Sequence, residues 1–69
     1  MKIDINSRIR ELRKLNNLTQ TQLAEKLKTT QDTISLWELG KSYPDLESIV
    51  ALCKLFDVSA DYLLCIDDI

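Results

Sequence analysis

Gly40 and Pro44, four residues apart, are the only glycine and proline in a chain of 69 residues. Sheets and barrels reverse the backbone every few positions and need turn residues to do it, so a chain with so little punctuation is expected to be all-α. A content of 45% hydrophobic and 29% charged residues excludes intrinsic disorder and collagen-like structure. Sixty-nine residues make one domain at most, so residues 1–69 are expected to form a single unit too small for a deep, multilayered active-site cleft. No apolar run approaches bilayer-spanning length, and the N-terminus lacks a hydrophobic stretch followed by a small-residue cleavage site. The expected location is the cytoplasm.

Histidine is absent. That removes the commonest general base, metal ligand and catalytic-triad partner, and an enzyme is not expected. Cys53 and Cys65 cannot by themselves supply four zinc ligands, and in the cytoplasm they are expected to be reduced, small apolar side chains. No metal, cofactor or small-molecule ligand is expected.

Five helix-start signals divide the chain, each placed before an apolar run of helical period. The first predicts a helix from Asn6 or Ser7, with Ile9 and Leu12 inward, ending at Asn16 and Asn17. The second is the clearest: Thr19 and Gln22 form a capping box, with Leu18 and Leu23 as its hydrophobic staple, and Leu23, Ala24 and Leu27 inward. Thr30 is expected to cap a third helix, with Ile34 and Trp37 inward and Gly40 as its stop. Asp45 caps a fourth, whose stripe of Leu46, Ile49, Val50, Cys53 and Phe56, widened by Leu52 and Leu55, predicts a central helix buried on more than one side. Ser59, stapled by Val58 and Leu63, opens the fifth.

The net charge of −2 conceals an asymmetry. Residues 1–41 hold eight basic and five acidic side chains, a net +3, whereas residues 42–69 hold Lys54 against six acidic side chains, a net −5. A basic face set against an acidic back is the arrangement of a nucleic-acid binder; uneven scatter of charge in a small domain is the plainer alternative.

The segment 20–39 carries the most information. Two short helices joined by about three residues must cross steeply, and Ala24 is the small residue that lets them approach. Leu23, Leu27, Ile34 and Trp37 would close a miniature core beneath the second of the pair. Stepping 100° per residue from Ile34 places Asp32, Ser35, Leu36 and Leu39 on its outer face, with Gln31 at the exposed N-terminal end. A rigid helix presented in this way fits the major groove of DNA.

From about Ser7 to Leu64 the chain resembles the helix-turn-helix family of phage repressors and Cro proteins, the lambda-repressor-like DNA-binding domains. The matching positions are Leu18, Thr19 and Gln20; Gln22, Leu23 and Ala24; Thr33, Ile34 and Ser35; Trp37 and Glu38; Gly40, Lys41 and Pro44; and then Phe56, Asp57, Val58 and Ser59 with Tyr62, Leu63 and Leu64. The resemblance implies a compact five-helix domain with its motif at 20–39 and a recognition helix at about 30–39. It implies phosphate contacts from Gln20, Thr30 and Lys41, contacts to bases or adjacent backbone from Gln31, Thr33 and Ser35, and a structural ion pair between Arg13 and Glu38; Asp32 and Leu36 join the candidate base contacts by their place on the outer face alone. Capping alone would equally account for Gln20 and Thr30, and Lys41 could be a solvated loop lysine.

The chain departs from the family at four positions. Lys28 stands where the family usually has glycine in the turn, which implies a positive φ at a residue with a Cβ. Leu36 and Leu39 replace polar residues. Asp32 faces the groove as a carboxylate, which repels phosphate unless it accepts from a cytosine amine.

The function expected from these features is a sequence-specific, double-stranded-DNA-binding transcriptional regulator of repressor type. The expected assembly is a weak homodimer through Leu63, Leu64 and Ile66 of the fifth helix, rimmed by Asp67 and Asp68. The alternative is a protein-interaction module, an antitoxin or accessory factor, that uses Leu36 and Leu39 on the same scaffold.

Overall fold

The computed structural model describes residues 4–66. Among these, five helices and no strand are present: α1 (Ile5–Leu15), α2 (Gln20–Leu27), α3 (Gln31–Leu39), α4 (Leu46–Phe56) and α5 (Ala60–Leu63). Four start where the capping residues predict. Thr19, Thr30, Asp45 and Ser59 each accept a hydrogen bond from the backbone N–H three residues on, and Gln22 Oε1 returns one from the Thr19 N–H at 2.8 Å. The first helix begins earlier than Asn6: Asp4 is its N-cap, without a side-chain capping bond. Burial decides this start, since Ile5 joins Ile9 and Leu12 at i, i+4 and i+7 and all three enter the core.

The helix ends share one solution. Asn17, Lys28, Gly40, Asp57 and Cys65 all have positive φ, between 55° and 76°. The residue after each donates its backbone N–H to a carbonyl five positions back, as Thr29 does to Ala24 at 2.9 Å and Lys41 to Leu36 at 3.0 Å. This closure satisfies carbonyls that the last turn leaves unpaired. Only one of the five positions is glycine, so the other four adopt the left-handed region with a Cβ in place.

Ile5, Ile9, Leu12, Leu23, Ala24, Ile34, Trp37, Leu52 and Leu63 form the buried core. The helix at its centre is α3, which packs most extensively against α2 and α1. This corrects the expectation for α4, which contributes only Leu52 fully to the core and turns Leu46 and Val50 outward, 79% and 52% exposed. Its apolar stripe is wide because it continues beyond the buried face. Leu63 is also corrected: it is 0% exposed, sealed into the core of its own chain and therefore not available to a dimer contact. Leu64 packs partly buried against the same core, and Ile66 is half-buried, so α5 presents no free apolar face. Asp67 and Asp68 lie outside the described residues.

Candidate nucleic-acid interface

Helix α3 is held from below and free above. Ile34 and Trp37 are buried against Leu23 and Ala24 of α2, while Gln31, Asp32, Leu36 and Leu39 are exposed and Thr33 and Ser35 are partly so. The connection of Lys28, Thr29 and Thr30 is short because Lys28 takes the left-handed conformation at φ 58°, ψ 43°, turning the chain in one residue. Thr30 then caps α3, and its hydroxyl lies 2.9 Å from that of Thr33. Asp32 sits in the first turn, where a carboxylate is favoured by the helix dipole.

Beneath the exposed face runs one continuous polar chain. Arg13 of α1 grips Glu38 of α3 with two parallel bonds, Nε to Oε2 at 2.7 Å and Nη2 to Oε1 at 3.0 Å, and its Nη1 donates to the Leu18 carbonyl at 2.9 Å. The two side chains are 12% and 5% exposed. Gln20 Nε2 donates to Glu38 Oε1 at 3.1 Å, and Gln20 Oε1 accepts from Gln31 Nε2 at 2.6 Å. Burial pushes the Glu38 carboxyl up, but the hydrogen bonds from Arg13 and Gln20 and the charges of Arg13 and Arg10 outweigh it and hold the carboxyl below its ordinary value. The same hydrogen bond raises Arg13 further above its own.

This network brings together residues that had separate roles in the sequence. Gln20 stands at the N-terminus of α2, but both ends of its amide are engaged inside the protein, which leaves one Nε2 hydrogen to meet a phosphate. Gln31 is tethered by one Nε2 hydrogen, so its Oε1 and second hydrogen project from the start of α3 in a fixed orientation. Lys41 is exposed just beyond the Gly40 cap. Gly40 itself lies against α1: a Cβ added there would sit 3.5 Å from Asn6 Nδ2, at a φ of +76° that already favours glycine.

Arg10 was not singled out from the sequence. It is exposed and lines a cleft with Arg13, Gln20, Ser35, Glu38 and Leu39, at the flank of α3. Its spacing of three from Arg13 on a helix was the available signal, since that puts both side chains on one face. Among the described residues no three His, Cys, Asp or Glu side chains gather in a way that could hold a metal ion, and no helix is long and apolar enough to cross a membrane.

A helix-turn-helix family model matches residues 9–63. The HTH-type transcriptional activator BcrR of Enterococcus faecalis is 45% identical over 62 residues, 90% of this chain and 30% of that protein. The uncharacterized HTH-type transcriptional regulator YobD of Bacillus subtilis is 41% identical over 61 residues, 88% of this chain and 54% of its own length. The chain thus spans about half or less of these relatives. Among solved structures, the P22 c2 repressor protein in complex with synthetic operator 9T superimposes with a TM-score of 0.81 at 35% identity, covering 87% of this chain and 91% of that one.

Proposed function

The chain belongs to the helix-turn-helix family of the Cro and repressor type, and from that membership we propose that it is a sequence-specific, double-stranded-DNA-binding transcriptional regulator of repressor type. The observation that carries this reading is the mounting of α3. Its inner side is locked into the core and by Glu38 to α1, while the N-terminal end, Gln31 and Asp32, is exposed and Gln31 is already oriented by Gln20. In this reading α3 enters the major groove. Gln31 contacts adenine, Leu36 meets a thymine methyl, and Asp32, Thr33 and Ser35 approach bases or the adjoining backbone. Thr30, Lys41, Arg10 and the remaining Gln20 hydrogen hold phosphates on either side. Arg13 and Glu38 act from below, as the ion pair that fixes the angle of the helix. One module of this kind buries about 600–1,000 Å² against DNA, which is small for tight specific binding, so two copies acting on a two-fold site are part of the proposal.

The test is a titration of a duplex selected from a random pool, repeated at several salt concentrations. Four neutralised phosphates give a slope of log affinity against log salt near −3.6. A flat response between low and moderate salt rejects the DNA reading and favours a protein partner on exposed Leu36 and Leu39.

A further inference from the structure

With Leu63 sealed into the core, a second copy needs another surface, and the outer face of α4 has the features required. Leu46 and Val50 are exposed apolar residues of this helix at spacing i, i+4, whereas the less exposed Leu55 lies on a different side, and Tyr43, in the connection just before the helix, is 66% exposed. Stepping 100° per residue from Leu46, Val50 falls at 40°, Lys54 at 80° and Glu47 at 100°, so two apolar side chains and one charge of each sign share a sector of 100°. Leu52, Phe56 and Ile49 lie on the other side and face the core.

We propose that this face is where two copies of the chain meet, through antiparallel α4 helices crossing at Val50. The pattern is self-complementary, as an isologous contact requires, because the same patch must satisfy itself after a two-fold rotation. Glu47 lies three residues before Val50 and Lys54 four residues after it, about 4.5 and 6 Å along the axis at a rise of 1.5 Å per residue. Reversing the second helix therefore sets each Glu47 beside Lys54 of the partner subunit, while the two Val50 side chains meet and each Leu46 covers the aliphatic stem of a Lys54. A parallel arrangement would set like charges together. The proposal rests on the DNA-binding reading for its two-fold geometry. α4 follows the recognition helix after residues 40–45, so an axis here holds the two α3 helices in a fixed relation. Because the patch is confined to one face of an 11-residue helix, the contact is expected to be smaller than the roughly 1,200 Å² of stable complexes, so that the pair forms weakly in solution and cooperatively on DNA.

Sedimentation equilibrium without DNA, up to several hundred micromolar protein, tests the contact, and duplexes selected from a random pool and then cut to one half-site test its use. Val50→Glu is expected to abolish self-association and to lower affinity for the two-half-site duplex at least tenfold. Binding to the single half-site should stay within twofold and the melting temperature should be unchanged, since Val50 is exposed. Glu47→Lys is expected to weaken association several-fold, and Glu47→Lys with Lys54→Glu to restore it. A wild type that neither self-associates nor fills two half-sites cooperatively overturns the proposal. So does a Val50→Glu protein that associates normally, or a double variant no better than Glu47→Lys alone. If no duplex is selected from the pool, the DNA reading fails while sedimentation still decides the interface.

Discussion

Removing Glu38 exposes what the ion pair under α3 contributes. In Glu38→Ala the guanidinium of Arg13 loses two of its three acceptors and keeps only the Leu18 carbonyl, while Gln20 Nε2 loses its own. A surface pair is worth less than about 1 kcal/mol, whereas stranding one member of a buried pair costs about 3–5 kcal/mol. With the side chains 12% and 5% exposed, the geometry belongs near the buried limit, eased because Arg13 retains one acceptor and some solvent. The expected loss is about 3 kcal/mol, or a fall of roughly 12–24 °C in melting temperature for a domain of this size. Arg13→Ala should cost about 2 kcal/mol, because Glu38 keeps the Gln20 bond and a stranded carboxylate, unlike a guanidinium, can relieve its charge by taking up a proton. The double variant strands neither charge and should lose no more than Glu38→Ala, giving a coupling of about 2 kcal/mol. Urea unfolding of the three variants, with Glu38→Gln as a milder arm that keeps the shape, measures it. Losses that add to within about 0.5 kcal/mol would refute the argument, since independent sites behave in that way.

Acid unfolding should follow the same pair. Glu38 titrates below its ordinary value of 4.5 in the folded chain, so its stabilisation is complete above pH 4.5 and is lost as pH falls through the folded value. Glu38→Gln should flatten this dependence but not remove it, because Asp45, lowered by the Ser48 backbone bond, behaves alike; an acid limb parallel to wild type in the variant would show that Glu38 is not the group responsible. Lys28→Gly should stabilise the domain by roughly 0.5–1 kcal/mol, since φ at this position is 58° and glycine relieves the strain; a lower denaturation midpoint would contradict it. Leu36→Ala should weaken binding mainly at sites carrying thymine, and replacing that thymine by uracil should reproduce the loss without adding to it; wild-type affinity that ignores uracil everywhere excludes a methyl contact. Arg10→Ala should reduce the salt slope by about 0.9, as one lost phosphate contact does, and an unchanged slope would remove Arg10 from the interface.

Local chemistry was legible in the sequence because it acts over three or four residues. Thr19, Thr30, Asp45 and Ser59 cap helices where they stand, since a side-chain oxygen needs only the N–H three positions ahead. Ala24, Ile34 and Trp37 close the corner of the motif because a short connection allows one crossing. Even the conformation of Lys28 followed from its position in the family pattern. What spacing could not supply is which apolar residues find a partner. Ile5 and Leu46 are both apolar residues at the start of a helix, yet one is 2% exposed and the other 79%, and the difference lies in what packs over each. Leu63, expected at a contact between copies, is buried, and Val50, expected on the inward stripe of α4, is exposed, for the same reason. Left-handed Asp57 and Cys65 likewise carry no signal of their own, because a helix ends where the next one must turn back to the core. The polar network is tertiary too: Arg13 and Glu38 are 25 residues apart and Gln20 and Gln31 are 11 apart. Periodicity reports which side of a helix is apolar. Only the packing of the helices determines how much of that side is covered, and therefore which residues are left to meet another molecule.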